Sequence, residues 1–466
     1  MSIPGGPSRI VVAGVASGVG KTTIATGLMA ALATQGLQVQ GYKVGPDYID
    51  PTYHRAATGR SSYNLDTWLS SQAMVRQRFD AGMRNTDIAI IEGVMGLFDG
   101  RKNTRDGAST AEIARLLDAP VLLVIDVSHM GQSVAALVNG FRNLDSRVHI
   151  AGVILNKVAS DDHETTLRHA IAEWTGTAVL GAIRRDALLV LPARHLGLVP
   201  VSETTIEVQV LGDSIKRAVD ISGIVNLARS AGPLPQLISD TEVQEAEAFP
   251  ILQSVPPVRI GLALDAAFSF YYPETLETFA SMGVEIIPFS PLKDNAPPDE
   301  VDLLYFGGGF PEVFAGQLAE NHAMLTGVRS AIRRGVLVYA ECGGYMYLGK
   351  CCIDATNVRH RLLGVLPYTF QMGTERAQLG YREMTTVRDT IIGPLGTHLR
   401  GHEFHWSRIV DPLAQTHAAY RLEGGEDTLE GFADKTILAS YVHVPLAANP
   451  NAMMRLMRNC LSRRKV

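Results

Sequence analysis

Two short stretches carry residue types that could do chemistry. The first, Ile10–Thr23, reads IVVAGVASGVGKTT. Gly14, Gly18 and Gly20 let backbone N–H groups curl around a polyphosphate such as that of ATP, and the Lys21 ammonium would meet its β and γ phosphates. The Thr22 hydroxyl suits Mg²⁺, and Thr23 completes the Gly-Lys-Thr-Thr run at a strand-to-helix junction. The second stretch, Glu341-Cys342-Gly343-Gly344, sets a thiol between an apolar run and a helix start. A nucleophile on such a turn is an elbow, and the helix N-terminus favours thiolate. His443 follows another apolar run, Ile437–Val442, and is the candidate general base for Cys342. Backbone N–H groups near Gly343 and in Gly307–Gly309 could form an oxyanion hole. Phosphate binding in one half and acyl transfer in the other are the chemistries on offer.

Strands and helices must position these groups. Ile10–Ala13 predicts a strand, and an Ala/Leu/Met-rich helical pattern runs from the Gly-rich loop to about Ala33. Gln38–Val44, Asp87–Ile91, Pro120–Asp126, Ile150–Leu155 and Val179–Ile183 predict further strands, with helices over Ser109–Leu117 and Ser133–Phe141. Strands alternating with helices give an α/β fold with a doubly wound parallel sheet. Ligands bind such sheets beyond the carboxyl ends of the strands. Glu92 closes one buried strand, with Gly93, Gly96, Asp99 and Gly100 in the loop after it, and Asp47, Tyr48 and Asp50 follow another. Glu92 and Asp47 are expected to hold the metal with Thr22, because Asp47 follows a strand expected beside the phosphate loop. Asp50, Asp99 and Tyr48 are expected to position the substrate. Asn156, before Lys157 at a strand end, could hydrogen-bond a purine edge. His195, in the loop Leu191–Glu203, reads as a loop residue.

A chain of 466 residues is too long for one core. The expected division is a nucleotide domain over 1–229, an acidic, proline-bearing linker over 230–257 and a second α/β domain over 258–466. Strands Val258–Leu264, Asp302–Phe306 and Val336–Ala340 open that domain, and a helix starts at Tyr345–Leu348. A net charge of −5 and the lack of any Lys/Arg block argue against a nucleic-acid partner. The four cysteines, Cys342, Cys351, Cys352 and Cys460, show no Cys-x-x-Cys spacing, so neither a disulfide framework nor a zinc site is expected. Cys351 and Cys352 read as core or helix-end residues. No apolar run is long enough to span a bilayer, so a cytoplasmic protein with no membrane partner is expected, and a homodimer is compatible with this reading.

These motifs carry a resemblance. The phosphate loop places Val15 at the usual first glycine, with Gly14 one residue upstream, and so resembles the dethiobiotin-synthetase and chromosome-partition ATPase branch of P-loop proteins. The extra early lysine of the partition ATPases is Ala16 here. GVASGVGKTT, KVGPDYIDP, IIEGVMGLFDG and ILNKV resemble the synthetase domain of the cobalamin-pathway glutamine-dependent amide synthases. GGGFPE, YAECGGY and YVHVP resemble their class I glutamine amidotransferase-like domain. The likeness covers nearly the whole chain and implies ATP- and glutamine-dependent amidation of the a and c carboxylates of a corrin precursor. Glutamine and a corrinoid or related tetrapyrrole would be the substrates, with Mg²⁺ as cofactor. The same chemistry on hydrogenobyrinic acid or nickel sirohydrochlorin is the alternative, and a partition-type ATPase switch binding a protein partner is a further one. Gly401–Ser407 resembles a histidine-containing stretch of the family, leaving His402 and His405 as candidate substrate contacts. Class I amidotransferases often have a glycine where Ala340 stands, and Val444-Pro445 leaves no acid two residues after His443.

Overall fold

The structure is a computed structural model. It describes residues 6–102, 104–185, 193–194, 197–198, 207–236, 256–373, 378–410, 417–423 and 428–464. The chain divides into two compact units, Met1–Glu247 and Ala248–Val466. Most of the expected linker 230–257, and His195, lie outside the described residues. No described helix is long and apolar enough to cross a membrane.

The N-terminal unit is built on β1 (Arg9–Gly14), β2 (Val39–Val44), β3 (Tyr63–Leu65), β4 (Ile88–Glu92), β5 (Val121–Asp126), β6 (Ile150–Val158) and β7 (Ala178–Arg184). Their order across the sheet is β3-β2-β4-β1-β5-β6-β7, and every pairing is parallel. The central strands β1 and β4 are buried along their whole length, as expected of strands covered on both faces. Two helices matter for the site. α1 (Lys21–Thr34) begins directly after the Gly-rich loop, and α2 (Asp50–Thr58) begins after β2. The expected neighbour relation is corrected in one respect. β2 pairs with β3 and β4, not with β1, so β4 separates the Asp47 loop from the phosphate-loop strand. The route from the Asp47 loop to the site therefore runs along Glu92 rather than beside Gly14.

The second unit repeats the architecture. Its sheet runs Glu285–Phe289, Arg259–Ala263, Leu303–Phe306, Leu337–Glu341, Ile437–Ser440 and Phe432–Ala433, parallel except at the last pair. One apolar cluster includes Phe306, Tyr345 and Tyr347, and another includes Tyr339, Met453 and Leu456. Antiparallel ribbons that the sequence pattern does not announce fill the stretch between the elbow and its histidine, among them Gln378–Thr386 against His398–His405. A single bridge joins His402 to His443 and so ties that ribbon to the nucleophile sheet.

Close approach fixes Gly344. A Cβ there would overlap the backbone carbonyl of Phe306 and stand 2.7 Å from its Cβ, and neither can yield. Gly140, exposed in the helix Val134–Leu144, has nothing within 4 Å of where a Cβ would stand. We predict that Gly344→Ala destabilises its unit by roughly 2 kcal/mol or more, the range of an overpacked core. Gly140→Ala should instead stabilise by about 0.5 kcal/mol. Denaturant unfolding of the two variants checks this, and equal midpoints would contradict it.

Candidate functional site

In the N-terminal unit the chemistry gathers where β1, β2 and β4 end. Gly20 has φ 97°, a conformation that favours glycine, and a Cβ there would collide with the Asn156 amide. Asn156 Nδ2 donates to Val19 O at 2.9 Å, so it braces the phosphate loop. Lys157 is tied to Asp126 at 2.6 Å. Lys21 Nζ donates to Ala16 O at 3.0 Å, folded back over the loop whose phosphates it would meet. Burial first, and then the nearby Lys43 charge, bring Lys21 down to about 8.

Behind the loop lies a dense ionic cluster. Parallel register sets Lys43 beside Glu92, which is why a lysine can end one buried strand and a glutamate the next. Lys43 Nζ reaches Glu92 Oε1 at 2.8 Å and Asp50 Oδ2 at 2.6 Å. Thr22 Oγ1 donates to Glu92 Oε1 at 2.6 Å and to Asp50 Oδ2 at 3.2 Å. His54 Nε2 lies 2.6 Å from Glu92 Oε2, with Nδ1 2.9 Å from Ser62 Oγ. Burial would raise the Glu92 pKa, but Lys43 and His54 prevail and hold it well below the carboxylate range. Burial, and then Asp47, push the Asp50 carboxyl well above that range. Burial works against the Lys43 charge, yet Asp50 and Glu92 raise its pKa above the usual lysine value.

The expected metal and substrate carboxylates are arranged differently from their sequence order. Asp47 Oδ1 accepts the amides of Ile49 and Asp50 at 2.8 and 2.9 Å and so fixes the turn that leads into α2. That turn swings Asp50, not Asp47, onto Thr22. Asn64 Nδ2 holds the same loop through Gly45 O and Asp47 O at 2.7 and 2.9 Å, with Tyr48 half-buried beside it. Asp99 Oδ2 accepts Gly96 N at 2.9 Å and shapes its own loop. Thr23 is half-buried in the first turn of α1. Sequence reasoning missed Lys43 and His54 as partners of Glu92, because pairing across strands has no local signal.

In the second unit Cys342 has φ 48° and ψ −102°, a strained conformation for a side-chain-bearing residue, between Leu337–Glu341 and the helix Gly343–Leu348. Its amide donates to Ser440 O at 2.7 Å, on the strand that leads to His443. The Gly343 position packs so tightly that a Cβ would lie 3.1 Å from Gly309 N, which brings the elbow and the glycine loop together. Gly344 N donates to Gly307 O at 3.0 Å. His443 is buried, its amide and carbonyl exchange bonds with His402 at 2.8 and 3.0 Å, and Gly308 leaves room for its ring. The expected thiolate is corrected. Burial first, then the Glu312, Glu403 and Glu341 charges, push the Cys342 thiol well up, against a six-residue helix that offers little opposition.

His402 and His405 are placed in the protein interior. Both ring nitrogens of His405 are engaged, 2.7 Å from Glu403 Oε1 and 2.7 Å from Ser407 O, and its ring stacks on Tyr441 at 3.7 Å. His402 is buried and lowered to about 3 by burial and then by His443. Cys351, Cys352 and Cys460 are free and buried.

Glu430 braces the strand end before His443, accepting Ser440 Oγ at 2.6 Å and Tyr441 N at 2.8 Å. Burial, and then Glu403, raise it from the ordinary 4.5 to about 8. The unfolded chain loses this proton near 4.5 and the folded chain near 8, so its stability contribution is complete below 4.5 and is lost as pH rises through about 8. Thermal unfolding of Glu430→Gln should therefore fall off less than wild type between roughly pH 5 and 8. Parallel pH profiles for the two proteins would contradict this.

Both units match family models. Residues 10–199 match the CobQ/CobB/MinD/ParA nucleotide binding domain, and residues 259–451 match the CobB/CobQ-like glutamine amidotransferase domain. The chain is 43% identical over 459 residues to a cobyrinate a,c-diamide synthase of Dehalococcoides mccartyi, covering 97% of each chain. It is 42% identical over 480 residues to a hydrogenobyrinate a,c-diamide synthase of Streptomyces coelicolor, covering 97% of each. A cobyrinate a,c-diamide synthase of Picrophilus torridus is 40% identical over 455 residues, with 97% of this chain and 99% of that one covered. An α/β nucleotide-binding unit, a fused glutamine amidotransferase unit and full-length likeness at this level lead to one conclusion: the chain belongs to the family of cobyrinate and hydrogenobyrinate a,c-diamide synthases, ligases that form C–N bonds with glutamine as nitrogen donor.

Proposed function

We propose that the protein amidates the a and c side-chain carboxylates of cobyrinic acid, using ATP and the side-chain nitrogen of glutamine. The observation that carries this reading is Cys342, strained at φ 48° on its elbow, with His443 following the adjoining strand, in a chain that also bears a phosphate loop. The relative named for hydrogenobyrinate supports the metal-free macrocycle as the second substrate to try.

In the amidotransferase unit, Cys342 Sγ attacks the amide carbon of glutamine while His443 takes the thiol proton. His443 returns that proton to the departing nitrogen, ammonia leaves, and water hydrolyses the thioester to glutamate with His443 again as base. Backbone amides of Gly343 and Gly309 are favoured for the oxyanion. In the nucleotide unit, an oxygen of the substrate carboxylate attacks the γ-phosphorus of ATP and ADP leaves. Ammonia then attacks the acyl carbon and phosphate departs. Activation is required because a bare carboxylate is a poor electrophile.

The donors near Thr22 fit Mg²⁺, a hard cation that takes oxygen ligands and is commonly held by one or two carboxylates beside phosphate oxygens and water. Thr22, Glu92 and Asp50 would hold the ion; bound there it neutralises phosphate charge. The turn held by Asp47 and the contact of Asp50 with Thr22 favour exchanging the roles expected of these two carboxylates. Asp47, Tyr48 and Asp99 are then left to shape the substrate loops.

Two outcomes test this reading. Cys342→Ala should abolish glutamine-dependent amidation yet keep the ammonia-dependent reaction, while Lys21→Ala should lower both by ~10²–10³-fold, the usual cost of a lost electrostatic stabiliser. Glutamine use by Cys342→Ala, or near-normal ammonia use by Lys21→Ala, would contradict it. For the metal, Mg²⁺ titrations of Asp50→Asn and Glu92→Gln should both show a raised requirement, with Asp47→Asn unchanged. A raised requirement in Asp47→Asn but not in Asp50→Asn would give the metal back to Asp47.

A further inference from the structure

An imidazole base works well only if its remote nitrogen is fixed and its positive charge is met once it takes a proton. No acid stands two residues after His443, where Val444-Pro445 follows instead. The fold brings a carboxylate from another direction. Glu341 ends the strand before the nucleophile and registers with Ser440, so its side chain lies beside the segment that carries His443. Oε1 accepts from Val444 N at 2.8 Å and from Tyr339 Oη at 2.7 Å; Oε2 accepts from Tyr305 Oη at 2.9 Å and stands 3.8 Å from His443 Nδ1. One oxygen thus grips the main chain just past the histidine, and the other faces the ring. Gly308 packs on the opposite edge, where a Cβ would lie 2.5 Å from Cε1 and 3.2 Å from Nε2. The ring is held between a backbone wall on its Nε2 side and a carboxylate on its Nδ1 side.

We propose that Glu341 is the positioning residue for His443, a carboxylate that precedes the nucleophile and does the work of an acid placed after the base. The inference rests on the reading of Cys342 as nucleophile and His443 as base. Both Glu341 oxygens act as acceptors for neutral donors, and among the described residues the ion-pair partner of Glu341 is His443. A buried carboxylate without a cation is costly, and the imidazolium formed when His443 takes the thiol proton supplies one at the moment of reaction. At 3.8 Å the groups are within ion-pair range but not hydrogen bonded, and resting catalytic contacts commonly tighten in the reacting complex. Glu312 and Glu403 face the neighbouring Cys342, Glu403 and Arg382 face His402, and burial holds His402 down at about 3.

Glutamine hydrolysis by the full chain, followed against pH, tests the assignment in Glu341→Gln and Glu341→Asp, with ammonia-dependent amidation measured alongside. Glu341→Gln should lose ~10–10³-fold in kcat with KM for glutamine little changed, less than the ~10⁴-fold seen when a serine protease loses its triad carboxylate, because a thiol needs less help. Removing the anion destabilises the imidazolium, and because His443 must be neutral to take the thiol proton, the acid limb of the profile should move to lower pH. Glu341→Asp should recover part of both. A wild-type kcat, or a rate loss with an unmoved limb, overturns the proposal. If Glu341→Gln does not fold, Tyr305→Phe decides, since it frees the oxygen opposite Nδ1. A several-fold fall in kcat at constant KM supports the role, and an unchanged kcat overturns it. Glutamine use by Cys342→Ala would instead sink the underlying reading and leave a different signature.

Discussion

Two carboxylates are buried where β2 and β4 end, and Lys43 makes that arrangement tolerable. Glu92 is fully buried, and Asp50 nearly so. An isolated carboxylate in such surroundings would cost several kcal/mol or protonate. Lys43 spans both at 2.6 and 2.8 Å, and His54 closes the far side of Glu92 at 2.6 Å. Removing one partner from such a cluster typically costs about 3–5 kcal/mol, because the remaining charge is stranded. The cluster sits directly behind Thr22, so the ionic contacts that make the strand ends compatible also aim oxygen donors at the phosphate loop. Stability and chemistry rest on the same few atoms.

The second unit meets the same constraint with different means. Glu341 also ends a buried parallel strand, yet its oxygens are satisfied by two tyrosine hydroxyls and one backbone amide. Glu403 next door is held by His405 and Arg382 at 2.7 and 2.6 Å; burial opposes its charge, but these partners lower its pKa below the usual value. Burial first, and then the acidic groups near it, push the Cys342 thiol up.

Legibility followed the range of the interactions. Gly20-Lys21-Thr22-Thr23 and Glu341-Cys342-Gly343-Gly344 are local patterns, and each lies at a strand-to-helix junction, so they could be read directly. Glu92 was legible because a carboxylate closing an apolar run is conspicuous. Lys43 and His54 were not, since their meaning depends on which strands lie side by side. The Asp47–Asp50 arrangement turned on one side-chain-held turn before a helix, a finer scale than hydrophobic patterning reaches. The thiolate expectation considered one helix end and omitted the burial of Cys342, the neighbouring Glu341 and two carboxylates, Glu312 and Glu403, brought in from other segments. Likewise His405 read as a substrate contact until Glu403, Ser407 and Tyr441 were seen to enclose it.

The central claim is that ammonia made at Cys342 is joined to a carboxylate activated by phosphoryl transfer at the phosphate loop. The most direct measurement supplies cobyrinate labelled with ¹⁸O in its carboxylates, glutamine labelled with ¹⁵N in its amide, and ATP, with no ammonium added. Mass spectrometry then reads the amide products and the phosphate. The expected result is ¹⁵N in both new amides and one ¹⁸O delivered to inorganic phosphate for each amide formed. Phosphate free of ¹⁸O, with the label in AMP, or amides free of ¹⁵N, would contradict it.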